Sequence, residues 1–160
     1  AIDPNPDMLA VARSSAGREG LDIEFMQSDL RERLPVDAGR YDLAVCALVL
    51  CHVPALGQVA RDIHRTLKPG GLLLITDFHP DTVAEGVQTQ LEREGVTYQL
   101  PNEPHSRKTY LDALEDASFE FLNVLDLPTR EADRERFTDK YWQKLADVNF
   151  CLIVLAQKPL

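Results

Sequence analysis

Three aspartates stand where short apolar runs stop: Asp3 after "AI", Asp29 after "IEFMQS" and Asp77 after "LLLIT". In open α/β sheets ligands bind outside the carboxyl ends of the strands, near the point where strand order reverses. An acid in such a place can accept hydrogen bonds from ligand hydroxyls or amines, and one closing the second strand of a nucleotide-binding unit can accept both ribose hydroxyls. Three histidines occupy comparable places: His52 beyond "YDLAVCALVLC", His79 directly after "TDF", and His105 ahead of "SRKTYLDALEDA". An imidazole there could remove a proton from an acceptor that must lose one. His79 with nearby Asp77 is the first pair to test, whereas His64 falls on the polar side of a helix. Each residue also has a plain structural reading, as a helix N-terminal acid for Asp3, a turn residue for Asp29 and hydrogen-bonded core groups for the others.

The elements that must position these groups alternate. A strand stub at 1–3 leads to a helix over "PDMLAVARSSAGREG", then a strand in "LDIEFMQSDL" and a loop or weak helix in "RERLPVDAGR". "YDLAVCALVL" is apolar almost throughout, as in a strand covered on both faces of a parallel sheet. Leu56, Val59, Ala60, Ile63 and Leu67 recur at helical spacing. "KPGG" stops that helix, and "LLLITDF" is another doubly covered strand. Residues 79–105 are polar, with helical potential in "TVAEGVQTQLERE" and a β-prone "VTYQL"; Ser106 is placed to cap a helix before the strand "SFEFLNVLDL". "NFCLIVLAQ" is the last strand. No long helix separates the last two strands, which predicts an antiparallel edge on an otherwise parallel α/β sheet.

Composition narrows the function classes. A chain of 160 residues suits one domain, 1–160, and 44% apolar with 27% charged residues is globular rather than disordered. The net charge of −9, with Arg and Lys scattered among acids, argues against nucleic acid as main partner. "CLIVLA" and "LLLI" are far shorter than the roughly 20 residues of a membrane span. Cys46, Cys51 and Cys151 form no paired framework and read as buried thiols in a reducing, cytoplasmic compartment, and no His and Cys cluster has metal-ligand spacing.

"IDPNPDMLAVAR", "QSDL" ahead of "LP", "YDLAVCALVLCHVPAL" and "RTLKPGGLLLITDF", in that order, resemble the class I S-adenosylmethionine-dependent methyltransferases, most closely the small-molecule enzymes of the ubiquinone/menaquinone-biosynthesis type. The resemblance runs through residues 1–78 and continues loosely to the end. It implies a Rossmann-like sheet, S-adenosyl-L-methionine as cofactor and methyl transfer to a small-molecule acceptor. It also implies Asp3 on the ribose hydroxyls, Pro4 and Met8 against the nucleoside, Asp29 accepting from the adenine amino group beside Leu30, and the backbone around Ala47 facing the methionine part. The segment 79–105 would be a substrate cap, with Tyr98 and Tyr110 as aromatic contacts.

One departure matters. The family's G-x-G-x-G loop precedes the acid matched by Asp3, and none of the eight glycines here forms a G-x-G. The expectation is a chain that starts inside the family's second strand, lacking the first strand and its loop, with 43–49 either pairing directly with 1–3 or leaving a gap. A non-catalytic interaction module is the alternative. A nicotinamide-dependent oxidoreductase ranks lower, since no tyrosine has a lysine four residues on. At "DASFEF" relatives often carry Ala-Gly-Phe, and Ser118 reads as a less strained turn.

Overall fold

A computed structural model describes residues 1–93 and 95–160, the side chains of 91 and 93 excepted. Strands β1 (Ile2–Asp3) and β2 (Met26–Gln27) pair in parallel, with helix α1 (Pro6–Arg18) crossing between them. Strands β3 (Tyr41–Ala47) and β4 (Leu67–Phe78) are also parallel, joined through α2 (Leu56–Thr66). After β4 come a short α3 (Pro80–Ala84), a separate antiparallel hairpin of β5 (Thr89–Arg93) and β6 (Val96–Leu100), then α4 (Arg107–Asp116). The chain ends with β7 (Glu120–Pro128), α5 (Asp139–Leu145) and β8 (Asn149–Gln157). The main sheet has the order β3-β4-β8-β7, with β8 antiparallel to both neighbours. The mixed, largely parallel α/β sheet read from the sequence is present. Its antiparallel strand stands one place in from the edge, with β7 outside it.

Local chemistry sets these elements. Asn5 caps α1, its side-chain oxygen accepting from the Asp7 and Met8 amides at 2.8 and 3.3 Å, and Pro6 starts the helix with φ already set. Ser106 and Thr109 form a reciprocal capping box on α4. Leu56, Val59, Ala60 and Ile63 of α2 and Tyr110, Ala113 and Leu114 of α4 pack on one face of the main sheet. That face is built from residues in cross-strand register: Cys46 with Ile75, Ile75 with Val154, and Leu73 with Ala156. The strand period of two therefore sends alternate residues of three strands into one core.

Several details depart from the sequence expectation. "KPGG" bulges out inside the start of β4: Tyr41 pairs with Leu67 but Leu43 with Leu72. Gly70 has φ +77°, and a Cβ on Gly71 would stand 2.9 Å from the Lys68 carbonyl oxygen, so the bulge needs both glycines. Of the two forms expected for residues 31–40, loop or weak helix, the loop is the one present. They are held as a loop by Arg65, which donates to the Val36 and Leu34 carbonyls at 2.7 and 3.0 Å, while Asp62 accepts from the Leu34 amide and from Arg65 Nε. The helical potential after residue 80 is spent within α3. Gly86 turns the chain at φ +76°, and 89–93 finds a strand partner in 96–100. Ser118 adopts φ +66°, so this turn is strained rather than relaxed.

Among the described residues β1 pairs only with β2, and β3 only with β4. Of the two expected outcomes for these strands, the gap is the one observed. A cavity of about 500 Å³ lies there, lined by Ile2, Met26, Leu30, Leu34, Leu43 and Val45 among others.

Candidate active site

Asp3, Asp29 and Ala47 follow or close the carboxyl ends of β1, β2 and β3. Asp3 is half-buried, and its Oδ1 accepts the Asn5 amide at 2.7 Å. That bond fixes the carboxylate as an Asx turn and leaves Oδ2 without a hydrogen-bond partner among the described residues. Asp29 is engaged by its neighbour: Arg31 donates its amide at 2.9 Å and grips the carboxylate through Nε and a terminal nitrogen. These bonds hold the Asp29 carboxyl below the usual carboxylate range. Arg31 is largely in solvent, so the pair is weak enough for a ligand amine to compete with it. Leu30 packs against the core and lines the cavity. Pro4 is exposed, its carbonyl accepting from Gln27 Nε2, and Met8 is 55% exposed on α1. Ala47 is exposed where β3 ends.

Asp77 and His79 do not form the expected pair. Asp77 is 1% exposed and accepts from the Cys51 amide at 2.8 Å, the Tyr110 hydroxyl at 3.3 Å and the Phe78 amide at 2.9 Å. It points to the α4 face of the sheet and ties the segment after β3 to the core. Burial and this carboxylate push the Cys46 thiol up to about 11, and push the Cys51 thiol and the Tyr110 phenol up as well. None of the three is an ionised nucleophile near neutral pH. Tyr110 is a core residue and not a cap contact.

His79 is 3% exposed. Its Nδ1 accepts the Asp81 amide at 3.1 Å, capping α3, so the proton sits on Nε2, which donates to Asp126 at 3.1 Å. Asp126 also takes Arg107 Nε at 2.8 Å, and chiefly through that bond its carboxyl is lowered. Both imidazole nitrogens are committed, which removes His79 as a base for a ligand. Neither Asp126 nor Arg107 carried a signal in the sequence, since both read as ordinary surface charges.

His52 and His105 are held differently. His105 Nε2 donates to the Val53 carbonyl at 2.8 Å, and the ring stacks edge-on against Tyr110. His52 Nδ1 donates to the Pro101 carbonyl at 2.9 Å, because a carbonyl can only accept. In the neutral ring that bond selects the tautomer with the proton on Nδ1, and the ring is partly exposed. The same contact, with Glu103 donating its amide to the Cys51 carbonyl at 2.7 Å, ties the exit of the β5–β6 hairpin to the 3₁₀ turn Leu50–His52. Tyr98 is exposed on that hairpin.

One residue of this edge had no sequence signal. Leu48, just past β3, has φ +53°. Glycine or asparagine would have announced such a turn, and leucine does not.

Known proteins add the following. A family described as methyltransferase domain matches residues 1–75. The chain is 26% identical to the ubiquinone biosynthesis O-methyltransferase of Cronobacter sakazakii over 99% of its own length and 66% of that protein's. It is 34% identical to the protein of the same name from Escherichia coli, over 44% of this chain and 29% of that one. The chain thus spans 66% of the first of these curated relatives, and 49% and 45% of two others. Among solved structures, an S-adenosylmethionine dependent methyltransferase from Mesorhizobium loti aligns with a TM-score of 0.71 at 22% identity, covering 98% of this chain and 78% of that one. The [4+2]-cyclase SpnF aligns with a TM-score of 0.71 at 22% identity, covering 99% and 65%. The second is named for a different reaction, so likeness at this level speaks for the fold alone.

Proposed function

Since the chain belongs to the class I S-adenosylmethionine-dependent methyltransferases, we propose that the protein of which these 160 residues are the catalytic fold methylates a hydroxyl of a small molecule, and that His52 accepts the hydroxyl proton. The observation that carries this reading is the His52 tautomer: Nδ1 is fixed on Pro101 and Nε2 is left as a free acceptor beside the end of β3.

The residues fit the nucleoside end of the cofactor. Asp3 keeps one carboxylate oxygen for ribose hydroxyls, Asp29 stands two residues beyond β2 for the adenine amino group, and Leu30, Pro4 and Met8 supply apolar contact. Exposed Ala47 leaves room for the backbone at the end of β3 to meet the methionine part. S-adenosylmethionine supplies an electrophilic methyl on a sulfonium. The protein's part is to orient the acceptor oxygen in line with that methyl and to exclude water. The acceptor hydroxyl, losing its proton as it takes the methyl from the sulfonium, would pass that proton to His52 Nε2. A neutral imidazole suits an acidic hydroxyl such as a phenol better than an aliphatic alcohol.

The segment 79–105 acts on this reading as a cap over the acceptor, supported by the anchoring of the hairpin at His52 and Cys51. The name O-methyltransferase borne by the relatives supports oxygen as the acceptor atom. Among the described residues no helix is long and apolar enough to cross a membrane, and the cysteine pattern supports a cytoplasmic setting.

Calorimetric titration of S-adenosylhomocysteine tests the reading, run on this chain and on a version extended upstream by a strand and a glycine-rich loop. Binding by either form, with His52→Gln leaving the affinity unchanged while depressing turnover, is the expected result. Failure of both folded forms to bind overturns the reading in favour of an interaction module.

A further inference from the structure

We infer that Leu48 is held in a strained backbone in order to present its side chain to the methyl acceptor, as the apolar floor on which the acceptor rests beside His52. The inference rests on the methyl-transfer reading above and adds a contact residue to it.

Leucine at φ +53° is unusual, because a Cβ in the left-handed region crowds the following carbonyl. Such a residue persists only where its surroundings leave no alternative. Here the constraint comes from both sides. The Leu48 amide donates to the Thr76 carbonyl at 2.8 Å, continuing the β3–β4 ladder past Ala47, and the Cys51 amide is fixed on buried Asp77 at 2.8 Å. Between those two anchors the chain must leave a strand and enter the 3₁₀ turn Leu50–His52, with Leu50 and Cys51 driven into the core. Leu48 takes the bend.

Glycine or asparagine would make this turn at lower cost. A leucine gains little from the fold here, since the residue is 54% exposed and is absent from the packed core. Strain and exposure in one residue point outward, to a ligand. The place agrees: it is the first residue beyond the carboxyl end of a parallel strand, where open α/β sheets bind their ligands. Four residues on, His52 holds its Nε2, the acceptor of the neutral ring, on the same short segment. Leu48 and His52 then serve two parts of one molecule, an apolar body and an ionisable hydroxyl.

The test separates strain from contact with two substitutions that both delete the side chain. Leu48→Ala keeps the positive φ with a Cβ, and Leu48→Gly removes the strain. The melting temperature of the glycine variant is expected about 2–4 °C above that of the alanine variant. Catechol, a minimal ring hydroxyl, is the acceptor probe, and the protein form is whichever binds S-adenosylhomocysteine in the titration above. Both variants are expected to raise the catechol KM roughly 10-fold, as for a lost apolar contact of this size, with S-adenosylhomocysteine affinity unchanged. In wild-type protein saturated with S-adenosylhomocysteine, the Leu48 methyl resonances are expected to shift when catechol is added. Where the wild type turns catechol over, unchanged catechol kinetics in both variants, or Leu48 methyls that do not move when catechol is added to the S-adenosylhomocysteine complex, overturns the Leu48 role and leaves methyl transfer standing. Cofactor-product binding by the wild type without any catechol turnover overturns the ring-hydroxyl acceptor, and the Leu48 role with it. Absence of S-adenosylhomocysteine binding overturns the methyltransferase reading itself.

Discussion

In the main sheet, α2 and α4 close one face so completely that Leu73, Leu152, Val154 and Ala156 have no exposed surface, whereas α1 buries only Leu9 and Ala16 over β1 and β2. Met8, Val11 and Leu21 stay in solvent around α1, and a cavity separates its two short strands from β3. The division of labour follows from this. The four-stranded half supplies the stability, and it carries Ala47, Leu48 and His52 at the end of β3. The thin half supplies Asp3 and Asp29, the acids proposed to meet a nucleoside. Regions with few buried apolar contacts open at lower free energy than the global fold, so nucleoside binding is expected to order the first 30 residues.

Core truncation is the strongest way to break that contrast. Leu73→Ala is expected to cost about 3–5 kcal/mol and to shift chemical denaturation of the whole chain. Leu9→Ala is expected to cost less and to speed hydrogen exchange only within residues 1–27, since α1 can open without the main sheet. Equal acceleration of exchange throughout the chain by Leu9→Ala would show one cooperative unit.

The aspartates carry the same contrast into chemistry. Asp77→Ala strips the acceptor from the Cys51 amide and the Tyr110 hydroxyl inside the core. Leaving such buried donors unpaired costs about 1–3 kcal/mol each, so its melting temperature falls. Asp3→Asn keeps the Asn5 bond through the amide oxygen, removes the charge and puts an NH₂ donor in place of the accepting Oδ2. It is expected to weaken S-adenosylhomocysteine binding about 10- to 100-fold, in line with about 1.5–3 kcal/mol for charge-assisted hydrogen bonds, with the melting temperature unchanged. A stable Asp77→Ala protein with lost ligand binding would reverse the assignment of the two acids.

The sequence was legible where one residue type does one job. The strands at 41–47 and 72–78, the helical stripe Leu56–Val59–Ala60–Ile63 and the cap Ser106 each have a local cause and each is present, but 41–47, read as covered on both faces, leaves Leu43 and Val45 more than half exposed because no element among the described residues packs on that side. Illegible were features made by partners distant along the chain. Arg65 reaches back 31 residues to hold the Leu34 carbonyl, which decides for the loop between the two forms, loop or weak helix, that the sequence left open. His79 met Asp126, 47 residues on, and so lost its role as a base. Asp3, Asp29 and Ala47 could be matched because their family pattern is local. His79 dropped out because both its nitrogens are bonded, while His52 and His105 each give one nitrogen to a carbonyl and His52 is preferred for lying on the segment that leaves β3; no spacing encodes these partners.

Acid sensitivity should belong to the well-packed half. His64 packs edge-on against Phe119 at 5.1 Å, and burial, helped by the Lys158 charge, lowers its pKa below the ordinary value. The unfolded chain therefore takes up this proton at higher pH than the native one. Stability from neutral His64 is full above about pH 6.5, the usual histidine value, and is lost as pH falls from there toward the depressed native value. Denaturation midpoints measured from pH 7.5 to 5 should decline in the wild type and flatten in His64→Gln. An undiminished slope in that variant would move the sensitivity elsewhere.

The smallest expected effect sharpens the comparison by separating strain that serves packing from strain that serves a ligand. Ser118, like Leu48, sits at a positive φ, +66°, but it lies between buried Ala117 and Phe119 at the turn from α4 into β7, away from the carboxyl end of β3. Its amide donates to the Glu115 carbonyl at 2.8 Å and that of Phe119 to Leu114 at 3.0 Å, a helix-ending arrangement in which glycine is the preferred residue. Ser118→Gly should therefore add about 0.5–1 kcal/mol of stability, less than the left-handed penalty alone because glycine gains freedom in the unfolded chain. S-adenosylhomocysteine affinity and catechol KM should not move. A Ser118→Gly protein that gained stability but lost catechol affinity would mean that strain anywhere in this sheet is felt at the site, and Leu48 would lose its special claim.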